Sequence, residues 1–201
     1  AGVFGEQLIM ALAGQAHGSG AKAHTHPNEQ FNLILAGTML ADIAGERIFA
    51  PAGTLQHTPT GVVHTGVACP DEDLVFLAMK DTRHGIVGPP VDGKHDGPLY
   101  LPGFGKRGSE PRLTTAQTIA ESARTHAPAR TRYVYPVDAL DRIEDPSSAA
   151  VEVRSGIALA PTARARFVSG ERLHIAIVEL APRAEVQRHR HGAEQFVYVL
   201  R

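Results

Sequence analysis

Residues 3–36 of this 201-residue chain align without a gap on residues 168–201, at an offset of 165. Val3-Phe4-Gly5-Glu6-Gln7-Leu8 answers Val168-Ser169-Gly170-Glu171-Arg172-Leu173. Further along, His24-Thr25-His26-Pro27-Asn28-Glu29-Gln30-Phe31 answers His189-Arg190-His191-Gly192-Ala193-Glu194-Gln195-Phe196. A register that holds Gly-Glu at one end and His-x-His with Glu-Gln-Phe at the other is the mark of a duplicated unit. Counterparts of Gly37 and His64 would fall near 202 and 229, past Arg201. The second copy is therefore expected to be incomplete and the sequence to be a fragment.

Each unit reads as all-β. Gly (20) and Pro (14) make up about a sixth of the chain, above the average for globular sequences, which goes with many turns and short strands. Alternation with period two predicts strands over 6–13, 21–26, 30–35, 38–43, 47–50, 62–68 and 74–80. Seven short strands with tight turns point to an antiparallel barrel or sandwich. Residues 81–112 read as a Gly/Pro-rich connection, followed by a short helix over 116–125 capped by Thr115. Strands resume over 133–137, 151–154, 157–160 and 166–168. The expected domains are a first barrel over 1–81, a linker over 82–130 and an incomplete second domain over 131–201.

Composition excludes several functions. A net charge of −1 without a basic block argues against nucleic-acid binding. No apolar run reaches the roughly 18–20 residues of a membrane-spanning helix. The single cysteine, Cys69, excludes an internal disulfide and any Cys-rich zinc site. The chain starts at Ala1 with nothing that reads as a signal peptide, so a cytoplasmic protein is expected.

The 11 histidines are unevenly placed. In a strand, residues i and i+2 share a face, so His24 and His26 project together. Gln30 starts the next strand after a Pro27-Asn28 turn and can fold its amide oxygen back beside them. His64 opens another strand after the turn-rich stretch 53–63. Three neutral imidazoles and one oxygen suit a first-row divalent metal, with positions left for water or substrate.

These residues resemble the cupin superfamily, and the duplication resembles a bicupin. Gly18, His24, His26, Gln30 and Gly37 match the first cupin motif; Gly53, Pro59, Gly61 and His64 match the second. The resemblance implies a jelly-roll barrel (a double-stranded β-helix), duplicated, with His24, His26, Gln30 and His64 as ligands of Fe, Mn, Ni or Zn. In the second copy it implies His189, His191 and Gln195. Many cupins place a glutamate where this chain has Gln30; the spacing to Gly37 favours Gln30 over Glu29, and alternation turns Glu29 outward. A neutral amide leaves the charge near that of the bare dication, which favours an anionic or enolate-forming substrate oxygen.

The resemblance further implies a metal-dependent enzyme acting on a small acidic or sugar-derived substrate, by dioxygenase-like or isomerase/lyase chemistry. The alternative is a non-catalytic module that binds or senses a small ligand such as a sugar. Partners are then a small molecule, with a homodimer among the assemblies the family allows, and neither membrane nor nucleic acid. Three residues have two readings each. Lys22 points into the barrel toward a substrate carboxylate or snorkels out at the rim. Asn32 lines the cavity or is satisfied by backbone. His57 shuttles protons at the mouth or is simply solvated. Phe31, Leu33 and Leu35 are expected to pack between the sheets of the barrel. No residue carries a catalytic assignment.

Overall fold

The structure, a computed structural model, describes residues 1–105, 108, 110–140, 142–143, 164–185, 188, 190 and 192–200. Strands expected over 151–154 and 157–160 lie outside the described residues, as do His189 and His191.

The first copy contains β1 (Gly2–Phe4), β2 (Leu8–Gln15), β3 (Ser19–His24), β4 (Gln30–Ala36), β5 (Thr38–Ile43) and β6 (Glu46–Pro51). It continues with β7 (Thr54–Thr58), β8 (His64–Ala68), β9 (Leu74–Asp81) and β10 (Leu99–Tyr100). After α1 (Thr115–Thr125) come β11 (Val134–Pro136), β12 (Arg142–Ile143), β13 (Arg164–Ser169) and β14 (His174–Glu179). One sheet runs β1-β2-β9-β4-β7-β11, its partner β10-β3-β8-β5-β6, and a third β12-β13-β14. The paired strands are antiparallel, and the first two sheets are the cupin double-stranded β-helix expected from the motifs.

Directly opposed residues in an antiparallel pair share a face. Register therefore fixes what lines the barrel. Ile34 faces Phe76 and Asn32 faces Ala78, while Gln30 stands beside Thr58 on one side and Lys80 on the other. Ile34, Met39, Ala41, Ala50, Ala68, Leu74 and Phe76 form the apolar core. Gln30, Asn32, Gln56, Thr58 and Lys80 sit toward the opposite end of the same interior.

The other face of β4 has a different job. Phe31 and Leu55 are buried against Leu173 of the second copy, with Leu8, Leu33, Met79, Val168 and Ile175 around them. Phe31 and Leu33 thus pack between the repeats rather than between the sheets of one barrel. Each fully buried side chain of this size contributes about 1.5–3 kcal/mol.

The opening hairpin is built twice. Phe4 pairs with Ile9 in the first copy, and Ser169 with His174 in the second, both moved by the same 165 positions. The turns match as well: Gly5 N donates to Leu8 O and Gly170 N to Leu173 O, each at 2.8 Å.

Some expectations need correcting. The stretch 54–58, read as part of a turn, is strand β7, paired between β4 and β11. The helix is capped by Thr114, not Thr115, in a capping box with Gln117. Strand β11, in the segment assigned to the second domain, pairs with β7 of the first barrel. Among the described residues no helix is long and apolar enough to cross a membrane.

Candidate metal centre

His24, His26 and His64 come from three places and meet at one. His24 ends β3, His64 opens β8, and the two are register partners. His26 lies just past β3, where its carbonyl accepts from Gly61 N at 3.0 Å. One coordinating atom of each ring lies within 4.8 Å of the others. Metal–nitrogen distances near 2.1 Å need opposed nitrogens no more than about 4.2 Å apart, so small ring rotations close the set on an ion.

The backbone decides which nitrogen faces inward. His24 Nδ1 pairs with Lys22 O (2.7 Å), His26 Nδ1 with Asn28 O (2.9 Å) and His64 Nδ1 with Val62 O (2.9 Å). A carbonyl only accepts, so each Nδ1 carries the proton and each Nε2 keeps its lone pair. His26 Nε2 is buried without a hydrogen-bond partner. A buried polar atom left so costs about 1–3 kcal/mol unless something binds it, and a cation does. Burial lowers the pKa of all three rings, His26 to about 4 and His64 to about 3, and the Lys80 charge adds to it. The imidazoles are neutral at pH 7, the form that coordinates. The donor set fits a divalent first-row metal.

Gln30, the fourth ligand that the sequence motif implies, opens β4 on the interior face of the barrel. It stands next to Thr58 on β7 and Lys80 on β9. Gln30 Nε2 donates to Asn32 Oδ1 (2.7 Å), Asn32 Nδ2 to Gln56 Oε1, and Gln56 Nε2 to Thr58 Oγ1 (2.7 Å). This chain of amides holds one N–H of Gln30 and fixes the plane of its amide. Asn32 is therefore a cavity residue that orients Gln30, a role that Gln56 and Thr58 share and that the sequence did not reveal.

Two other candidates point away. Between Ala21 and His24 the β3–β8 register shifts, a bulge that takes Lys22 off the face of the histidines. Its ammonium binds Asp92 Oδ2 (2.6 Å), Asp96 Oδ1 (2.7 Å) and Lys94 O at the rim. His57 stacks on Phe31 and pairs through Nε2 with Glu29 Oε1 at 2.7 Å, on the face between the repeats. Glu29 is outward with respect to the barrel, as alternation implies, yet fully buried: its carboxylate accepts from the N–H groups of Glu171, Arg172 and Leu173. Gln195 of the second copy is exposed.

A strap of residues 82–98 packs against the stretch 23–28 that carries His24 and His26. Val91 N donates to Ala23 O, and Asn28 Nδ2 reaches Asp81 O and His84 O. Gly88 approaches Thr25 O so closely that a Cβ there would collide with it. Lys80 holds the strap from below, donating to Gly85 O (3.2 Å) and Ile86 O (2.7 Å). It is 1% exposed, and burial brings its pKa down to about 8. The sequence carried a signal for it: Leu74, Phe76, Ala78 and Lys80 share one parity, and a lysine at the end of a core-facing row is out of place.

The fold and the site together define a cupin barrel with a three-histidine centre. Residues 10–80, within the first barrel, match the cupin domain family. No curated protein sequence matches it. Among solved structures, a serine-to-alanine variant of Bacillus subtilis oxalate decarboxylase aligns at TM-score 0.51 and 13% identity, over 81% of this chain and 45% of that one. Another oxalate decarboxylase structure gives 0.53 and 13% over the same shares. The chain thus spans less than half the length of these relatives. KdgF from Halomonas sp. aligns at TM-score 0.38 and 18% identity over 41% of this chain and 74% of that one.

Proposed function

We propose that the first barrel is the metal-dependent active site of an enzyme acting on a small, oxygen-rich, acidic or sugar-derived molecule. The observation that carries this reading is the cluster of three histidines, one ring nitrogen of each within 4.8 Å of the others, while every Nδ1 is held by a backbone carbonyl. His24, His26, His64 and Gln30 would hold a divalent ion of Fe, Mn, Ni or Zn. Bound there, the ion supplies Lewis acidity toward a substrate oxygen or, if iron, redox chemistry with dioxygen.

The residues themselves do the rest. The carbonyls of Lys22, Asn28 and Val62 keep the imidazoles in one tautomer, and the Asn32–Gln56–Thr58 chain aims Gln30. The three histidines are buried, and exclusion of bulk water strengthens every charge interaction there. Four neutral groups leave the ion's charge undiminished, which favours an anionic substrate oxygen. The parallel with oxalate decarboxylase supports the fold, and decarboxylation of a small acid joins dioxygenase, isomerase and lyase chemistry on the panel to be assayed.

The test is metal analysis of protein purified without chelators, followed by assays on small hydroxy acids, keto acids and sugar acids, with oxygen uptake recorded. About one equivalent of metal and turnover of an acid are expected. Metal without turnover on any class would favour the ligand-binding alternative, and no metal would end the reading.

A further inference from the structure

The charge around the site does not balance. Lys80 lies inside the barrel, opposite Gln30 on one side and Ile9 on the other. Its charge is felt at His24, His26 and His64 alike. Among the described residues no carboxylate comes within 4 Å of its ammonium. The nearby acids have partners of their own: Asp81, whose charge reaches Lys80 without an ion pair, is bound to Arg83; Asp92 and Asp96 to Lys22; and Glu29 to His57 and the second repeat. An ammonium has three N–H donors, and the two strap carbonyls are neutral acceptors. A dication beside it on neutral ligands would add to a buried positive charge whose nearby carboxylate, Asp81, is already paired with Arg83. Buried charge persists only when compensated, so the compensation has to come with the ligand.

We propose that Lys80 is the anion receptor of this pocket, and that the ligand carries at least two anionic oxygen groups, one for the metal centre and one for the Lys80 ammonium. This rests on the metal-site reading above and narrows its substrate class to compounds such as dicarboxylates and hydroxy or keto diacids. Neutral sugars offer nothing that Lys80 needs. The residue is then kept for binding at the expense of stability, as functional sites commonly are.

The probe is malonate, titrated calorimetrically into the full chain with and without Ni(II), for wild type, Lys80→Met, Lys80→Gln and Lys80→Arg. Wild type should bind malonate. The Met and Gln variants should lose tenfold or more in affinity at unchanged Ni(II) stoichiometry, and Arg should keep most of it. Without ligand, the Met variant should resist urea at least as well as wild type, whereas a lysine that merely fastens the strap would leave it weaker. No malonate binding by wild type, or equal binding by wild type and the uncharged variants with Ni(II) bound, overturns the Lys80 assignment and leaves the metal site standing. If wild type takes up no metal, the metal reading falls, and the metal-free titrations judge Lys80 by the same comparison.

Discussion

Glu29 and Glu194, 165 positions apart, each clasp the start of the other repeat. Glu29 accepts from the backbone N–H groups of Glu171, Arg172 and Leu173; Glu194 accepts from Glu6, Gln7 and Leu8, the same positions one repeat away. Gly5 and Gly170 complete the exchange, because a Cβ at either would run into the opposing carboxylate. The contact is reciprocal, as across a two-fold axis between subunits, yet it lies within one chain.

Removing the charge of Glu29 should therefore loosen the repeats. Charge-assisted hydrogen bonds contribute about 1.5–3 kcal/mol, and Glu29→Gln keeps the shape but halves the acceptors. A loss of about 2–3 kcal/mol in urea-unfolding free energy is expected, with a smaller loss for Glu194→Gln, whose side chain is only partly buried. Equal stability of Glu29→Gln and wild type would contradict the clasp.

The same carboxylate sets a pH dependence. Burial pushes its pKa up, but His57 and three backbone N–H groups outweigh that and bring it down to about 2 from 4.5. The folded form binds the proton less readily than the unfolded chain. The contribution is thus complete above pH 4.5 and is lost as pH falls through 2. It amounts to about 3 kcal/mol. Subtracting the Glu29→Gln curve from wild type, measured from pH 7 to pH 2, should isolate this window.

Metal affinity should depend on a residue that never touches the ion. Asn32→Leu breaks the amide chain and frees Gln30 to rotate, and loss of such supporting hydrogen bonds typically costs 10–100-fold in metal affinity. Competition with a chelating dye would read it, with circular dichroism checking the fold. Unchanged affinity would mean that Gln30 needs no orientation.

Gln30→Glu should shift the site the other way. A carboxylate offsets part of the ion's charge and stands opposite Lys80, so metal should bind more tightly and an acidic ligand such as malonate more weakly, by tenfold or more. Unchanged malonate affinity would count against a site tuned for anions.

The sequence made the convergence of the three histidines readable because motif spacing and strand parity both depend on local geometry. Strand β5 and most of the first barrel were readable for the same reason. Lys22 was not, since a bulge is a property of two strands and leaves no mark on parity within one. Strand β7 was missed because Thr54–Thr58 is polar where a strand is usually apolar: Gln56 and Thr58 face a polar stretch of the interior. Glu29 could be placed outward but not buried, because what buries it is a backbone segment 142 or more positions away.

The strap is fastened in two physically different ways. Its outer fastening is electrostatic, with Lys22 joined to Asp92 and Asp96, whose side chains are 43% and 65% exposed. Ion pairs that wet are weakened by dissolved salt. The outer attachment of the strap is thus open to dissolved salt in a way that its inner one, the hydrogen bonds from buried Lys80 to Gly85 and Ile86, is not.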